Sequence, residues 1–473
     1  MGLLDRFRPP VSHRAFDPAR VQRGSYSAGR PKASPLGPPG LLGNFLRPVP
    51  VPRLPMEASE PPIPDPVTFE VTPDLLQVAE RAFDRGLCAE CFGRLVGRYG
   101  HGLTNPERAE LLAVAVGRPL PRLTQPCQLC DGAFDRWEVW RSRVVAATEG
   151  WEYHRFTCGS RWDPERLARE EAFWAEFGTM WGESARSAFN RELGKRVETI
   201  AGGEGVTSHP DLVLLADLPT GRLEVTVLPF YVRGRYLKED RTLPQTRWPC
   251  RRCQGRGCDF CGGTGKTYES SVEELVAAPF LAASGGEGSR FHGMGREDIN
   301  ARMLGSGRPF VLEILRPRRR SIDLPSLETE VNRSAGGRVE VRELAWSDGA
   351  EVVRIKEATP TKSYRVVIRG ETSNAKVNEA LSFVAGRPIA QRTPTRVAHR
   401  RADRVRARRI LAARLVESSP DRFTIELRAE SGTYIKEWVE GDGGRTDPNL
   451  SQLVGVPLVV EALDVLEIHD RTG

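Results

Sequence analysis

Four Cys-x-x-Cys pairs constrain this chain more than any other feature: Cys88/Cys91, Cys127/Cys130, Cys250/Cys253 and Cys258/Cys261. They use eight of the nine cysteines and leave only Cys158. A disulfide scaffold would be short, because small secreted domains use cross-links in place of a core they cannot build. This chain has 473 residues, enough for two or three domains at roughly 100–200 residues each. Paired CxxC in such a chain reads as metal binding, with thiolates converging two by two on one ion. Cys88, Cys91, Cys127 and Cys130 are expected to form one site, with a helical insertion between its halves. Cys250, Cys253, Cys258 and Cys261 form a tighter set, and the glycines of its CxxCxGxGCxxCxGxG spacing permit the φ > 0 turns of a metal knuckle. Four thiolates leave no open coordination position, so both sites read as structural zinc, with iron as the alternative metal.

Around these sites the chain divides by pattern. Residues 1–65 are rich in Pro, Arg and Gly without helical or strand period, and are expected to be a disordered tail. Two folded parts follow, 66–226 and 227–473, the second carrying its knuckle as an insertion at 250–265. The spacing predicts a helix from Pro73 into Cys88, a long helical stretch over 164–197, and strands over 211–216 and 223–228. Beyond residue 300 strands dominate. Tyr364, Val366 and Ile368 alternate, as do Phe423, Ile425 and Leu427, with a last strand over 458–468 and helices over 377–384 and 397–411. No strict βαβ repeat is present, so the fold class is α+β with a mixed sheet.

The net charge is +7, from 69 basic and 62 acidic residues. Its distribution matters more. Arginines bunch at Arg316, Arg318, Arg319 and Arg320, and again from Arg396 to Arg409. Each cluster is either a phosphate-binding face or a solvated arginine-rich surface. No apolar run approaches the roughly 18–20 residues that span a bilayer, and no signal-peptide core opens the chain. The expectation is a soluble, cytoplasmic protein with no membrane partner and no obligate protein partner.

The segment over residues 291–315 is FHGMGREDINARMLGSGRPFVLEIL, in which glycines bracket Arg296, Glu297 and Asp298. Read alone it is an ordinary capped turn. It also resembles the Gly-Arg-x-Asp loop of pseudouridine synthases, and its longer string is similar to the archaeal-type tRNA pseudouridine(54/55) synthase family, whose N-terminal part contains a THUMP region. Further motifs carry the same resemblance: Gly234-Arg235-Tyr236, the run from Leu243 to Trp248 with Arg247, Lys362-Ser363-Tyr364, Gln391-Arg392-Thr393-Pro394, Val397 to Asp403, Gly432-Thr433-Tyr434-Ile435-Lys436-Glu437, and Cys88 to Arg94. The resemblance runs from about residue 75 to the end.

What the resemblance implies is specific. The 227–473 part would be a pseudouridine synthase catalytic domain, and the 66–226 part a zinc-binding, THUMP-containing accessory domain that grips tRNA toward its acceptor end. The partner would be tRNA and the target a uridine of the TΨC arm. Asp298 would be the catalytic carboxylate, acting as nucleophile or base without cofactor. Such a group must be ionised, so a cation should stand beside it; the resemblance assigns Lys436. Tyr364 would stack on the base and Ile435 would close the apolar side. Tyr434, Arg296, Arg235, Arg247 and Arg392 would contact substrate, and Arg400, Arg401 and Arg404 are further phosphate candidates. The chain departs from the family pattern at Asn300, where Asp is usual, at Trp438, and at Glu440-Gly441-Asp442. Without the resemblance, Tyr364 and Ile435 read as core residues and Lys436 as a surface lysine.

Two other readings remain. One is a non-catalytic tRNA-binding protein that remodels RNA. The other is a zinc adaptor, because the second cysteine set looks like half of a DnaJ-type repeat; it predicts a second repeat, which this sequence lacks. RNA binding that weakens steeply with salt separates the adaptor from both RNA readings.

Overall fold

The computed structural model describes residues 69–100, 102–400 and 402–470. The expected tail over 1–65, Arg401 and the Arg400 side chain lie outside the described residues.

Four helices open the first lobe. Thr72 caps α1 (Pro73–Phe83), which buries Leu75, Ala79, Ala82 and Phe83 and stops short of Cys88. Cys88 instead starts the single turn of α2 (Ala89–Gly93). The expected insertion between the cysteine pairs is α3 (Asn105–Val116), held at its start by a Thr104–Glu107 capping box. After α4 (Trp137–Thr148) comes β1 (Arg155–Arg161). The predicted long helix over 164–197 is two helices, α5 (Pro164–Phe177) and α6 (Ala185–Ala201). The physical reason lies at the break. Gly178 ends α5 with φ 83, and buried Glu170 accepts a 2.7 Å hydrogen bond from the Ala185 amide at the head of α6. Then β2 (Glu204–Gly205), β3 (Leu212–Asp217) and β4 (Arg222–Val227) complete a four-stranded sheet ordered β2-β1-β3-β4. Its core runs from Leu75 to Val227.

The second core runs from Phe230 to Ile468. Its elements are β5 (Phe230–Lys238), α7 (Val272–Ser284), β6 (Gly288–Gly293), β7 (Arg302–Leu315), α8 (Leu324–Ser334), β8 (Val339–Ser347), α9 (Gly349–Glu357), β9 (Thr361–Arg369), α10 (Asn374–Val384), β10 (Pro388–Arg392), β11 (Val405–Ser419), β12 (Arg422–Ala429), α11 (Ile435–Glu440), β13 (Thr446–Asp447), α12 (Leu450–Val454) and β14 (Val459–His469). Strands follow the order β13-β10-β11-β12-β9-β14-β7-β5-β8, with β6 on β7. β14 runs parallel to β7 and the other neighbours are antiparallel, so the sheet is mixed as expected. The expected helix over 397–411 is a correction. Residues Thr395–Arg400 form a 3-10 turn, and Val405 opens β11, which pairs with β10 over 405–409 and with β12 from Ile410 onward. A helix would satisfy its own peptides but would leave the facing backbone groups of β10 and β12 without these partners.

Within the first arginine cluster Arg320 joins the lobes, whereas Arg316, Arg318 and Arg319 are exposed. Arg320 is buried, pairs with Asp211 at 3.2 Å and donates to the Leu228 carbonyl. Glu152 accepts from the Arg320 amide at 2.8 Å, and the Arg318 guanidinium lies 4.2 Å from the Trp151 ring centre. Arg320, at the least, is withdrawn from any phosphate.

Candidate active site and metal centres

The loop from β6 to β7 carries Arg296, Glu297 and Asp298, and a buried network fixes it from below. Glu297 turns inward and accepts from Arg308 Nε at 2.9 Å and from the Tyr236 hydroxyl at 2.9 and 3.0 Å. Arg308 also donates to the Met294 carbonyl at 2.7 Å. Lys238 Nζ donates to Ile299 O at 2.7 Å, and Gln245 Nε2 to Gly295 O at 3.0 Å. Arg308, Tyr236 and Lys238 are fully buried. A charge withdrawn this far from water stays ionised only with partners of this kind. The network holds carbonyls on both sides of residue 298.

Asp298 faces a cavity of about 350 Å³, inside the range of roughly 300–1,000 Å³ typical of ligand sites. Lys436 Nζ lies 3.2 Å from its Oδ2 and Arg396 Nη1 3.0 Å from its Oδ1. Both cations have a second anchor. Lys436 donates to Asn300 Oδ1 at 2.9 Å, and Arg396 Nε to Glu437 Oε1 at 2.5 Å. Asn300 therefore retains an oxygen for Lys436 without adding a second negative charge. Burial pushes the Asp298 carboxyl up, but the Arg396 and Lys436 charges outweigh it and hold the group below its ordinary value. Tyr364 stands on the cavity wall, with burial raising its phenol to about 12. Arg296, Tyr434 and Ile435 line the same cavity.

Three of the expected contact residues are elsewhere. Arg235 is buried; its guanidinium pairs with Asp470 at 3.0 Å and donates to Ser306 O and Gly307 O. Buried and tied to these internal acceptors, it is withdrawn from any phosphate, and the Gly-Arg-Tyr motif serves the loop's foundation instead. Arg392 pairs with Asp403 at 2.6 Å and does not line the cavity. Arg247 is exposed beside the knuckle, outside the cavity lining.

Sequence reasoning left Arg396 as one charge in a basic run; the only available signal was its place just before the motif at Val397. It also passed over Lys362, Arg406 and Arg408, which line the cavity. Arg406 and Arg408 share one face of β11 because strand side chains repeat every two residues, a period hidden when that segment is read as helix.

Each cysteine set gathers its four Sγ atoms within 4.8 Å of one another. Cys88–Cys130 and Cys258–Cys261 are 3.7 Å apart, and Cys250–Cys258 and Cys253–Cys261 are 3.9 Å apart. A disulfide needs about 2.05 Å, whereas a tetrahedron with metal–sulfur bonds of about 2.3 Å has edges near 3.8 Å. The spacing fits a metal ion. In the knuckle, Gly257 and Gly265 amides donate to Cys253 and Cys261 sulfurs, each at 3.2 Å. A Cβ on Gly265 would lie 2.4 Å from Gly255 O, so this turn admits only glycine.

The family described as Pus10, C-terminal, matches residues 231–469, and the Pus10 THUMP domain, archaeal, matches residues 140–217. The tRNA pseudouridine synthase Pus10 of Methanothrix thermoacetophila is 38% identical over 440 residues, covering 86% of this chain and 97% of that protein. The chain belongs to the Pus10 family. The Methanothermobacter marburgensis Pus10 is 42% identical over 393 residues, covering 82% of this chain and 96% of that protein. A chain of a Cbf5-Nop10-Gar1 complex covers 50% of this chain and 48% of itself at 15% identity, but its TM-score of 0.28 carries no argument. The Pus10 THUMP match runs from α4 to β3, inside the part expected to hold it. The knuckle lies within the Pus10 C-terminal match, so it belongs to that region and not to a chaperone repeat.

Proposed function

We propose that this chain isomerises uridine to pseudouridine in the TΨC arm of tRNA, at position 54, position 55 or both, with Asp298 as the catalytic carboxylate. The observation that carries the reading is an ionised carboxylate held between Lys436 and Arg396 in the cavity that Tyr364 and Ile435 also line. Its Pus10 relatives bear the name tRNA pseudouridine synthase. The target uridine leaves its stack to enter. Its base lies on the Tyr364 ring, and Ile435, 4% exposed, excludes water from the apolar side. Asp298 acts on the ribose side as the N1–C1′ bond breaks. The base turns and C5 joins C1′. Arg406 and Arg408 meet the flanking phosphates, which positions the strand without reading it.

Both four-cysteine sites hold zinc in this reading, and each is structural because all four positions are protein sulfur. The part over 66–226 grips the tRNA toward its acceptor end, and the part over 227–473 does the chemistry. No helix among the described residues is long and apolar enough to cross a membrane, in keeping with a cytoplasmic site of action. The test is single-turnover pseudouridine formation on an unmodified tRNA transcript. Wild type should give product, and Asp298→Asn should bind tRNA without product. Tight binding with no product from either would overturn the enzyme reading in favour of RNA remodelling.

A further inference from the structure

Pseudouridine formation has a second half. Once C5 has joined C1′ it still carries its hydrogen. That proton must leave so that the C–H electron pair restores the C5=C6 double bond, while N1 takes up a proton. The cavity is lined by two carboxylates, Asp298 and Glu297, and two lysines, Lys362 and Lys436. Asp298 works on the ribose side. Glu297 is occupied behind the wall by Arg308 and Tyr236.

Lys362 is the exception among the cations of this wall. Arg308 pairs with Glu297, Arg396 with Asp298 and Glu437, and Lys436 with Asp298. Arg406 donates to Thr393 Oγ1 at 3.2 Å and Arg408 to Ala407 O at 3.0 Å. Arg296 also has a partner. The Lys362 ammonium has no hydrogen-bond or ion-pair partner among the described residues, although the side chain is partly withdrawn from water. It sits two residues before Tyr364 on β9, so both side chains share a face. Its Nζ reaches the catalytic loop, 3.6 Å from where a Cβ on Gly295 would stand. Burial, and then the Arg308 charge, push the amine down to about 8, which supplies a neutral fraction that an ordinary lysine lacks.

We infer that Lys362 is the base that removes the C5 proton of the rotated uracil. This rests on the pseudouridylation reading. The neutral amine takes the proton from C5 and becomes an ammonium, and the pair returns to the ring.

The experiment compares full-length wild type, Lys362→Met and Lys362→Arg in single turnover, on tRNA transcripts carrying uridine or 5-deuterouridine. Methionine keeps the apolar stem, and arginine keeps the charge but cannot accept a proton at neutral pH. Both variants should bind tRNA as wild type does and slow product formation by about 100-fold or more. The 5-deuterium isotope effect should be larger in Lys362→Met than in wild type, because proton removal then limits the rate, and added methylamine should restore part of that rate. A Lys362→Arg enzyme at wild-type speed would assign the residue a cation's role and overturn the inference. So would a slow Lys362→Met with an unchanged isotope effect, or one that has lost tRNA binding. A wild type that makes no pseudouridine overturns the underlying reading, which is a separate and visible result.

Discussion

Arg396→Ala should raise the pH at which Asp298 takes up a proton. The nearest N···O distance is 3.0 Å, which puts the charge centres about 4 Å apart, worth about 4 kcal/mol at an effective dielectric of about 20. The Arg396 side chain is 43% exposed, so solvent screening reduces this to about 1–1.5 kcal/mol, or about one pKa unit. The sign follows from the present state of the group. Asp298 is held below its ordinary value, so its ionised form is favoured above that value and is lost as pH falls through the lowered one. Removing Arg396 leaves Lys436 alone against burial, and the acid limb moves up. The assay is kcat/KM from about pH 7 down to about pH 3, which brackets a carboxyl held below 3.8 and one raised from there by about a unit, since kcat/KM profiles report the free enzyme's essential groups. Wild type should stay flat over more of that range than the variant. Arg396→Lys should recover only part of the shift, because an ammonium cannot span Asp298 and Glu437 as a guanidinium fork does. An acid limb that stays in place, or moves down, would refute the ion-pair account.

Other outcomes follow from the same coordinates. Glu297→Gln leaves the fully buried Arg308 without its counter-ion, and should cost about 3–5 kcal/mol in urea unfolding. Arg320→Ala strands Asp211 at the contact between the lobes; its cost should be of the same order, about 3–5 kcal/mol, seen as faster cleavage near residue 228 in limited proteolysis. Cys127→Ser should reduce bound zinc to one ion per chain and unfold the first lobe, because Cys91, Cys127 and Cys130 belong to its core. Cys250→Ser should also lose one ion yet keep the far-ultraviolet circular dichroism, since that knuckle is largely a surface insertion. Tyr364→Phe should retain most tRNA turnover, whereas Tyr364→Ala should lose about 1–3 kcal/mol of stacking.

The metal sites were legible because their ligands come in local pairs. A CxxC turn brings two sulfurs together whatever the rest of the chain does, and only the meeting of two pairs needs the fold. The candidate site was legible in kind for a related reason: Gly295, Asp298, Tyr364, Ile435 and Lys436 stand in short motifs, and those motifs meet in one cavity. Where local pattern is ambiguous the reading slipped. Residues 405–411 carry apolar side chains at spacings that suit either period, and pairing with β10 over 405–409 and with β12 from Ile410 made them part of a strand.

Residue types and short spacings, together with the motifs that resemble the family, therefore determined the α+β class, both cysteine clusters, the family, and the carboxylate with its lysine. Tertiary structure alone decided which arginines serve the site. Arg235 and Arg320 are buried in ion pairs, Arg392 is tied to Asp403, and Arg396, unremarked in its basic run, stands on Asp298. An arginine is a long, permanently charged side chain, and its role is set by the carboxylate it can reach and the water it loses. Those partners lie between 11 and 235 residues away in the chain, so no local pattern records them.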